Sequence, residues 1–185
     1  MSTISIIGSG GMAAAIGGLA AKAGHTLEVM RRDAAKARAL AKQIGAAATT
    51  GTFGAAPAGD IVILAVPYTA VLDVVKQYGE KLAGKLLVDI TNPIKSDFSG
   101  FLTPEDSFGA QEIAKAAPAN ADIVKTFNTQ FSHVLAAGSV KGHPLDLFLT
   151  TKCLLGIFQA KAKKQISQDG LSCFAIKTSK VVPAC

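Results

Sequence analysis

The chain has 185 residues, 49% hydrophobic and 17% charged, which suits one globular domain with a buried core and excludes a disordered chain. The net charge of +6 does not indicate nucleic-acid binding, because residues 152–185 hold six lysines against Asp169 alone and the rest is nearly neutral. No apolar run is long enough to span a bilayer, and the first ten residues lack signal-peptide features. We therefore expect a cytoplasmic protein with neither nucleic-acid nor membrane partners.

The N-terminus reads as a strand, a glycine-rich turn and a helix. The segment from Gly8 to Ala13 has the G-x-G-x-x-A pattern, in which Gly8 permits a tight turn and Gly10 permits close approach of a pyrophosphate. Ala13 keeps the helix close to the strand, and the helix N-terminus favours a phosphate anion. Because a second strand follows at 26–30, we interpret the turn as a dinucleotide site; a turn serving only helix packing is the alternative.

Strands and helices alternate through most of the chain, which predicts an α/β fold of the Rossmann type. We expect a doubly wound, mainly parallel sheet with helices on both faces. The predicted strands are 4–7, 26–30, 47–49, 60–66, 85–90, 122–127 and 145–150, and the predicted helices are 12–23, 33–44, 70–82, 107–117 and 132–137.

Beyond Thr150 this alternation weakens, although a helix over 157–168 and a strand over 171–176 fit the composition. All three cysteines lie in this segment at spacings that match no metal motif, so we expect free thiols. We assign 1–150 to a Rossmann domain and 151–185 to an atypical C-terminal segment, for which truncation or an altered reading frame is one explanation.

Basic residues follow the second strand, where an acidic side chain would bind the ribose of NAD. Arg31 and Arg32 instead suit the extra phosphate of NADP, and Lys36 adds a third positive charge one turn into the next helix. An exposed, solvated turn is the alternative. Glu28 lies within the strand, so we expect it to be a solvated strand residue or a helix partner and not a ribose ligand.

Polar groups and prolines stand at the carboxyl ends of three further strands, where open parallel sheets bind their ligands. These ends are Ala65-Val66-Pro67-Tyr68, Thr91-Asn92-Pro93 and Phe127-Asn128-Thr129. Each could be simple turn chemistry, but their shared position after consecutive strands favours contacts to a nicotinamide or a ring stacked on it.

The combined motifs resemble a known family. The segments I-I-G-S-G-G-M-A-A-A-I-G, M-R-R-D-A-A-K, A-V-P-Y, V-D-I-T-N-P and K-T-F-N-T are similar to those of the NADP oxidoreductases dependent on the 8-hydroxy-5-deazaflavin coenzyme, over about residues 3–150. The resemblance implies hydride transfer between NADPH and a deazaflavin, flavin or related small-molecule acceptor. It implies no catalytic side chain and no metal, because the protein contributes orientation and exclusion of water.

The resemblance also implies roles for individual residues, which we state as expectations. Ser9, Gly10, Gly11 and Met12 would lie under the pyrophosphate; Arg31, Arg32 and Lys36 around the 2′-phosphate; Val66, Pro67, Ala70, Ile90 and Thr91 near the nicotinamide; and Asn92, Pro93, Phe127, Asn128 and Thr129 near the acceptor. Relatives continue into a C-terminal region that helps to form the acceptor site and a homodimer, and this chain departs from them there. An NADP-binding module or sensor without turnover is therefore the alternative function.

Overall fold

The computed structural model describes residues 1–140, 143–145 and 150–151 and places nine strands and five α-helices among them. The first elements are β1 (Thr3–Ile7), α1 (Gly11–Lys22), β2 (Thr26–Arg31), α2 (Ala34–Ile44) and β3 (Ala48–Thr52). The next are β4 (Ile61–Leu64), α3 (Tyr68–Tyr78), a 3-10 helix (Gly79–Leu82), β5 (Leu86–Asp89), α4 (Gly109–Ala116) and β6 (Asp122–Lys125). The last are α5 (Ser132–Ala137), β7 (Ser139–Val140), β8 (His143–Pro144) and β9 (Thr150–Thr151).

Seven strands form one sheet in the order β3-β2-β1-β4-β5-β6-β9. The first six are parallel, and β9 runs antiparallel to β6. The two halves of the sheet are wound outward from neighbouring strands β1 and β4, which creates a topological switch point at their carboxyl ends. The predicted Rossmann-type fold with a mainly parallel sheet is confirmed, and the switch point is where such a sheet binds its ligand.

The sheet is covered on both faces, because successive side chains of a strand point to opposite sides. One hydrophobic cluster joins Ile6 and Val29 to α1, α2 and α5, and the other joins Ile7 and Met30 to α3 and α4. All four of these side chains are fully buried. The central strands are therefore held from both sides, so that their carboxyl ends form a fixed platform.

The observed boundaries differ most from prediction at α3 and β3. α3 begins at Tyr68, two residues before the predicted start, because Pro67 has the fixed φ of −59° suited to the position just before a helix. It ends at Gly79, whose φ is +50°, and the 3-10 helix covers the remainder of the predicted span. The predicted third strand is confirmed, although it begins at Ala48 and extends to Thr52.

The C-terminal predictions mostly lie outside the described residues. Of the predicted strand 145–150, the structure describes Leu145 and Thr150, and Thr150 begins β9. The predicted helix 157–168, the strand 171–176 and all three cysteines fall beyond it, so the division of the chain at residue 150 stays a prediction. Among the helices that are described, none combines the length and the apolar character needed to cross a bilayer.

Candidate functional site

The glycine turn lies between the carboxyl ends of β2 and β4. Gly8 has a φ of +128°, and its N–H donates to the Met30 carbonyl at 2.9 Å. A Cβ at this position would overlap the carbonyl group of Ala65. Glycine is therefore required here for two reasons, the backbone conformation and the close approach of the chain after β4.

The N-terminus of α1 faces the open space beside this turn. Gly10 is the N-cap residue in an extended conformation, with no side chain capping the helix and no acidic residue in its first turn. A Cβ added to Gly10 would meet no atom within 4 Å. The helix thus presents uncapped N–H groups and the positive end of its dipole to a space that a pyrophosphate could enter, so the residues present fit that group.

A cleft of about 410 Å³ joins the turn to the ends of β4 and β5. It is lined by Gly10, Gly11, Met12, Ala65, Val66, Pro67, Tyr68, Thr69, Ile90, Thr91, Asn92, Ile94 and Leu102. The structure therefore brings together most of the residues predicted for the pyrophosphate and nicotinamide. Ala70, also predicted there, lies half-buried in α3 and is not part of the lining.

Thr91, which lines the cleft, is bonded to both members of an ion pair between Asp89 and Lys125. Asp89, which is fully buried, lies 2.8 Å from the Lys125 ammonium and accepts bonds from both the N–H and the hydroxyl of Thr91. Lys125 also donates to the Thr91 carbonyl. Because the Thr91 hydroxyl already donates its hydrogen to Asp89, it can only accept a hydrogen bond from a ligand.

The two predicted asparagines bond to each other across the ends of β5 and β6. The Asn92 amide donates to the Asn128 carbonyl at 2.9 Å, and the Asn128 amide donates to the Asn92 side chain at 3.2 Å. Phe127 differs from expectation, because its ring packs in the core while its backbone adopts a φ of +61°. It therefore presents no ring face to an acceptor, whereas Thr129 is exposed.

Three lining residues, Thr69, Ile94 and Leu102, were missed by sequence reasoning, whereas Tyr68 belongs to a strand end that was predicted to contact the ligand. Tyr68 and Thr69 begin α3, and burial, followed by the negative charge of Glu112, raises the pKa of Tyr68, so its phenol stays neutral. Ile94 and Leu102 belong to a segment without periodicity, in which Ile94 pairs with Phe101 across a short antiparallel bridge. Proline before a helix could have revealed Thr69, but no pattern signals Ile94 and Leu102.

A second cavity, of about 460 Å³, lies beyond the end of β2. It is lined by Arg31, Arg32, Ala34, Ala37, Arg38, Thr50, Gly51, Thr52 and Phe53. The Arg31 guanidinium donates to the Ser9 hydroxyl, and the Arg32 guanidinium lies 5.3 Å from the centre of the Phe53 ring. The two predicted arginines thus share one cavity, and Arg31 connects it to the glycine turn.

The side chains of Lys36 and Glu28 bond to protein groups outside the second cavity. The Lys36 ammonium lies 3.7 Å from the carboxylate of Asp33, and its side chain does not line the second cavity. Glu28 accepts bonds from the Ser5 hydroxyl at 2.6 Å and the Ala58 N–H at 2.9 Å. Glu28 is therefore half-buried and bonded to β1 and to the loop before β4, and it is neither the solvated strand residue nor the helix partner that was predicted.

The fold and these two cavities define a dinucleotide-binding domain of the Rossmann class, with its cleft at the switch point of the sheet. Residues 3–93 match the family described as NADP oxidoreductase, coenzyme F420-dependent. This part of the chain is thus similar to that family, in agreement with the motifs. A comparison with functionally curated proteins gives no match.

Solved structures share the fold. A hypothetical protein from Sinorhizobium meliloti has a TM-score of 0.77 and 28% identity, over 92% of this chain and 82% of that one. A protein from Arthrobacter sp. FB24, assigned as an F420-dependent NADP-reductase, has a TM-score of 0.76 and 20% identity over the same shares. An imine reductase from Myxococcus stipitatus in complex with NADP+ has a TM-score of 0.62 and 20% identity, over 89% of this chain but 51% of that one.

Proposed function

We propose that the protein is an NADP-dependent oxidoreductase that transfers a hydride between NADPH and a deazaflavin, flavin or related planar acceptor. The observation that carries the proposal is the continuity of the cleft, which runs from the uncapped N-terminus of α1 to the ends of β4 and β5. The family match supports an oxidoreductase that uses NADP. The NADP+ bound by the imine reductase of the same fold is consistent with this cofactor.

The chain contributes binding and orientation to this reaction. The N–H groups at the start of α1 would hold the pyrophosphate, and the backbone after β4 and β5 would place the nicotinamide between Val66 and Ile90. When bound, NADPH would supply a hydride from its nicotinamide C4 to the acceptor, and the proton that completes the reduction would come from solvent. No acid or base from the protein is then required, and the apolar walls limit access of water.

The apolar side chains at the rim of the cleft favour a large apolar acceptor over a small polar one. Ile94 and Leu102 line the cleft, and Phe101, which pairs with Ile94, is 68% exposed. Phe98, in the same segment, is 83% exposed. Several exposed apolar side chains within one short segment are unusual on a folded domain, and they suit the face of a flavin-like ring.

The test is oxidation of NADPH, followed at 340 nm, with an 8-hydroxy-5-deazaflavin, FMN, riboflavin and a small cyclic imine as separate acceptors. We expect oxidation with the deazaflavin or a flavin, and transfer of deuterium from labelled NADPH to the acceptor where the acceptor retains it on carbon. Tight NADPH binding without oxidation by any acceptor would support the binding module or sensor instead. Oxidation with the imine alone would contradict the planar acceptor.

Gly10→Asp tests whether the pyrophosphate of the coenzyme binds at the N-terminus of α1. The position has ordinary extended backbone and room for a side chain, and an aspartate there would cap α1. The variant should fold at least as stably as the parent protein, while its carboxylate repels the pyrophosphate. Unchanged NADPH affinity in this variant would show that the coenzyme binds elsewhere.

A further inference from the structure

The second cavity contains a basic side chain that no part of the proposed site uses. Arg38 lies on α2, one helical turn after Ala34, and both residues line the cavity. Within the part of the chain that the structure describes, its guanidinium makes no hydrogen bond or ion pair. A free guanidinium fork at the edge of a cavity is suited to a bidentate contact with a phosphate.

The other cations near this cavity already have partners. Arg31 is bonded to Ser9, and Arg32 stacks on Phe53 and lies 3.4 Å from the Gln77 side chain. Lys36 is paired with Asp33 and lies outside the lining. Arg38 is thus the cation most available to a ligand that enters between α2 and β3.

Hydroxyl groups stand opposite α2 in the same cavity. Thr50 and Thr52 are two residues apart in β3 and so lie on one face of that strand, and both line the cavity. Thr52 is in register with Arg31 of β2. Two threonines and three arginines therefore line one volume, a donor set that matches a phosphomonoester better than a neutral ribose.

We propose that Arg38, together with Thr50 and Thr52, binds the 2′-phosphate of the coenzyme and determines its preference for NADP over NAD. This inference rests on the proposed function and deepens it. It moves the third cation of the phosphate site from Lys36 to Arg38, two residues further along α2. Arg32, stacked on Phe53, then faces the adenosine rather than carrying the phosphate.

The experiment measures the dissociation constants of adenosine 2′,5′-bisphosphate and of AMP, which differ only in the 2′-phosphate. Arg38→Gln should weaken the bisphosphate about tenfold or more and leave AMP within about twofold, because a charge-assisted bond is lost only in the first ligand. Arg38→Lys should recover part of the affinity. Lys42→Gln, the same change of charge one turn further along α2, should alter neither constant.

Other results would overturn the inference. A loss in Arg38→Gln no larger than in Lys42→Gln, an equal loss for both ligands, or a larger loss in Lys36→Gln would each remove Arg38 from the phosphate site. Failure of the parent protein to bind either NADPH or NADH would instead contradict the proposed function. The two failures are therefore distinguishable in one set of titrations.

Discussion

The Arg31 guanidinium donates a hydrogen bond to the hydroxyl of Ser9 and thereby links the last residue of β2 to the glycine turn. The two residues belong to the parts of the site proposed for the 2′-phosphate and the pyrophosphate. Because the side chain of Arg31 is already held beside the turn, less rotamer entropy is lost when a phosphate binds. The two ends of the proposed coenzyme site are therefore coupled through one side chain.

Arg31→Ala should weaken NADPH far more than NADH, because a charge-assisted phosphate contact of about 1.5 to 3 kcal/mol is lost. Ser9→Ala should have a smaller effect in the same direction, since it only releases Arg31 from the turn. Fluorescence titration of both coenzymes with each variant measures the difference. Equal weakening of NADPH and NADH by Arg31→Ala would contradict the assignment.

Gly8→Ala should destabilise the protein severely or prevent folding, because the added methyl overlaps the carbonyl group of Ala65 and the backbone has a positive φ. Gly18→Ala is the matched control within α1, where a Cβ meets no atom within 4 Å. That change should stabilise the protein by about 0.5 to 1 kcal/mol. Urea unfolding compares the two variants, and similar effects would refute the argument from close approach.

Lys125→Met should reduce the free energy of unfolding by about 3 to 5 kcal/mol, because it leaves the fully buried carboxylate of Asp89 without its counter-ion. Lys85→Met breaks a pair in which Asp60 is 96% exposed and should cost less than about 1 kcal/mol. Denaturant titration measures both. If the double variant Asp89→Asn, Lys125→Gln is no more stable than Lys125→Met, the explanation by an unpaired buried charge fails.

Asp33→Ala should lower stability at neutral pH, because the carboxylate accepts bonds from the N–H groups of Ala35 and Lys36 at the start of α2. These bonds, the one from Lys36 first, lower the pKa of Asp33 below its ordinary value of 3.8. The stabilisation is therefore complete above that value and is lost as pH falls through the lowered pKa. Thermal unfolding between pH 2 and 7 should show the gap between parent and variant closing in acid, whereas a constant gap would exclude the carboxylate as its source.

Phe101→Ser should raise the KM for a flavin-like acceptor while the NADPH dissociation constant stays within about twofold. The exposed ring adjoins the cleft through its pairing with Ile94, and burying a phenylalanine on an acceptor is worth about 1.5 to 3 kcal/mol. Steady-state kinetics with the active acceptor and a separate coenzyme titration make the comparison. A change confined to NADPH binding would place the acceptor elsewhere.

The fold and the pyrophosphate end of the cleft could be predicted because their signals are local. Gly8 is required by backbone geometry within one turn, and the apolar run before Pro67 indicates a strand buried on both faces. The positions of the strand ends then follow from the order of strands and helices along the chain. A motif of this kind specifies its own structure largely without reference to distant residues.

The remaining site residues depend on packing between distant segments. Arg38 lines the second cavity because α2 lies against β3, a relationship that no local pattern encodes. Phe127 was expected beside the acceptor, but its side chain packs in a hydrophobic cluster that includes residues of β1, β2 and α1. Leu102 reaches the cleft only because its N–H bonds to the Pro93 carbonyl at 2.8 Å and folds the segment back.

The carboxylate of Glu28 bridges Ser5 of β1 and the backbone at Ala58, so the acidic residue of β2 serves the sheet itself. The side chains proposed to contact the adenosine and its 2′-phosphate, at positions 31, 32 and 38, are half-exposed or exposed and lie outside both hydrophobic clusters. Coenzyme preference and folding stability are thus controlled by separate residues. Mutational drift or laboratory selection could exchange NADP for NAD at those three positions with little risk to the core.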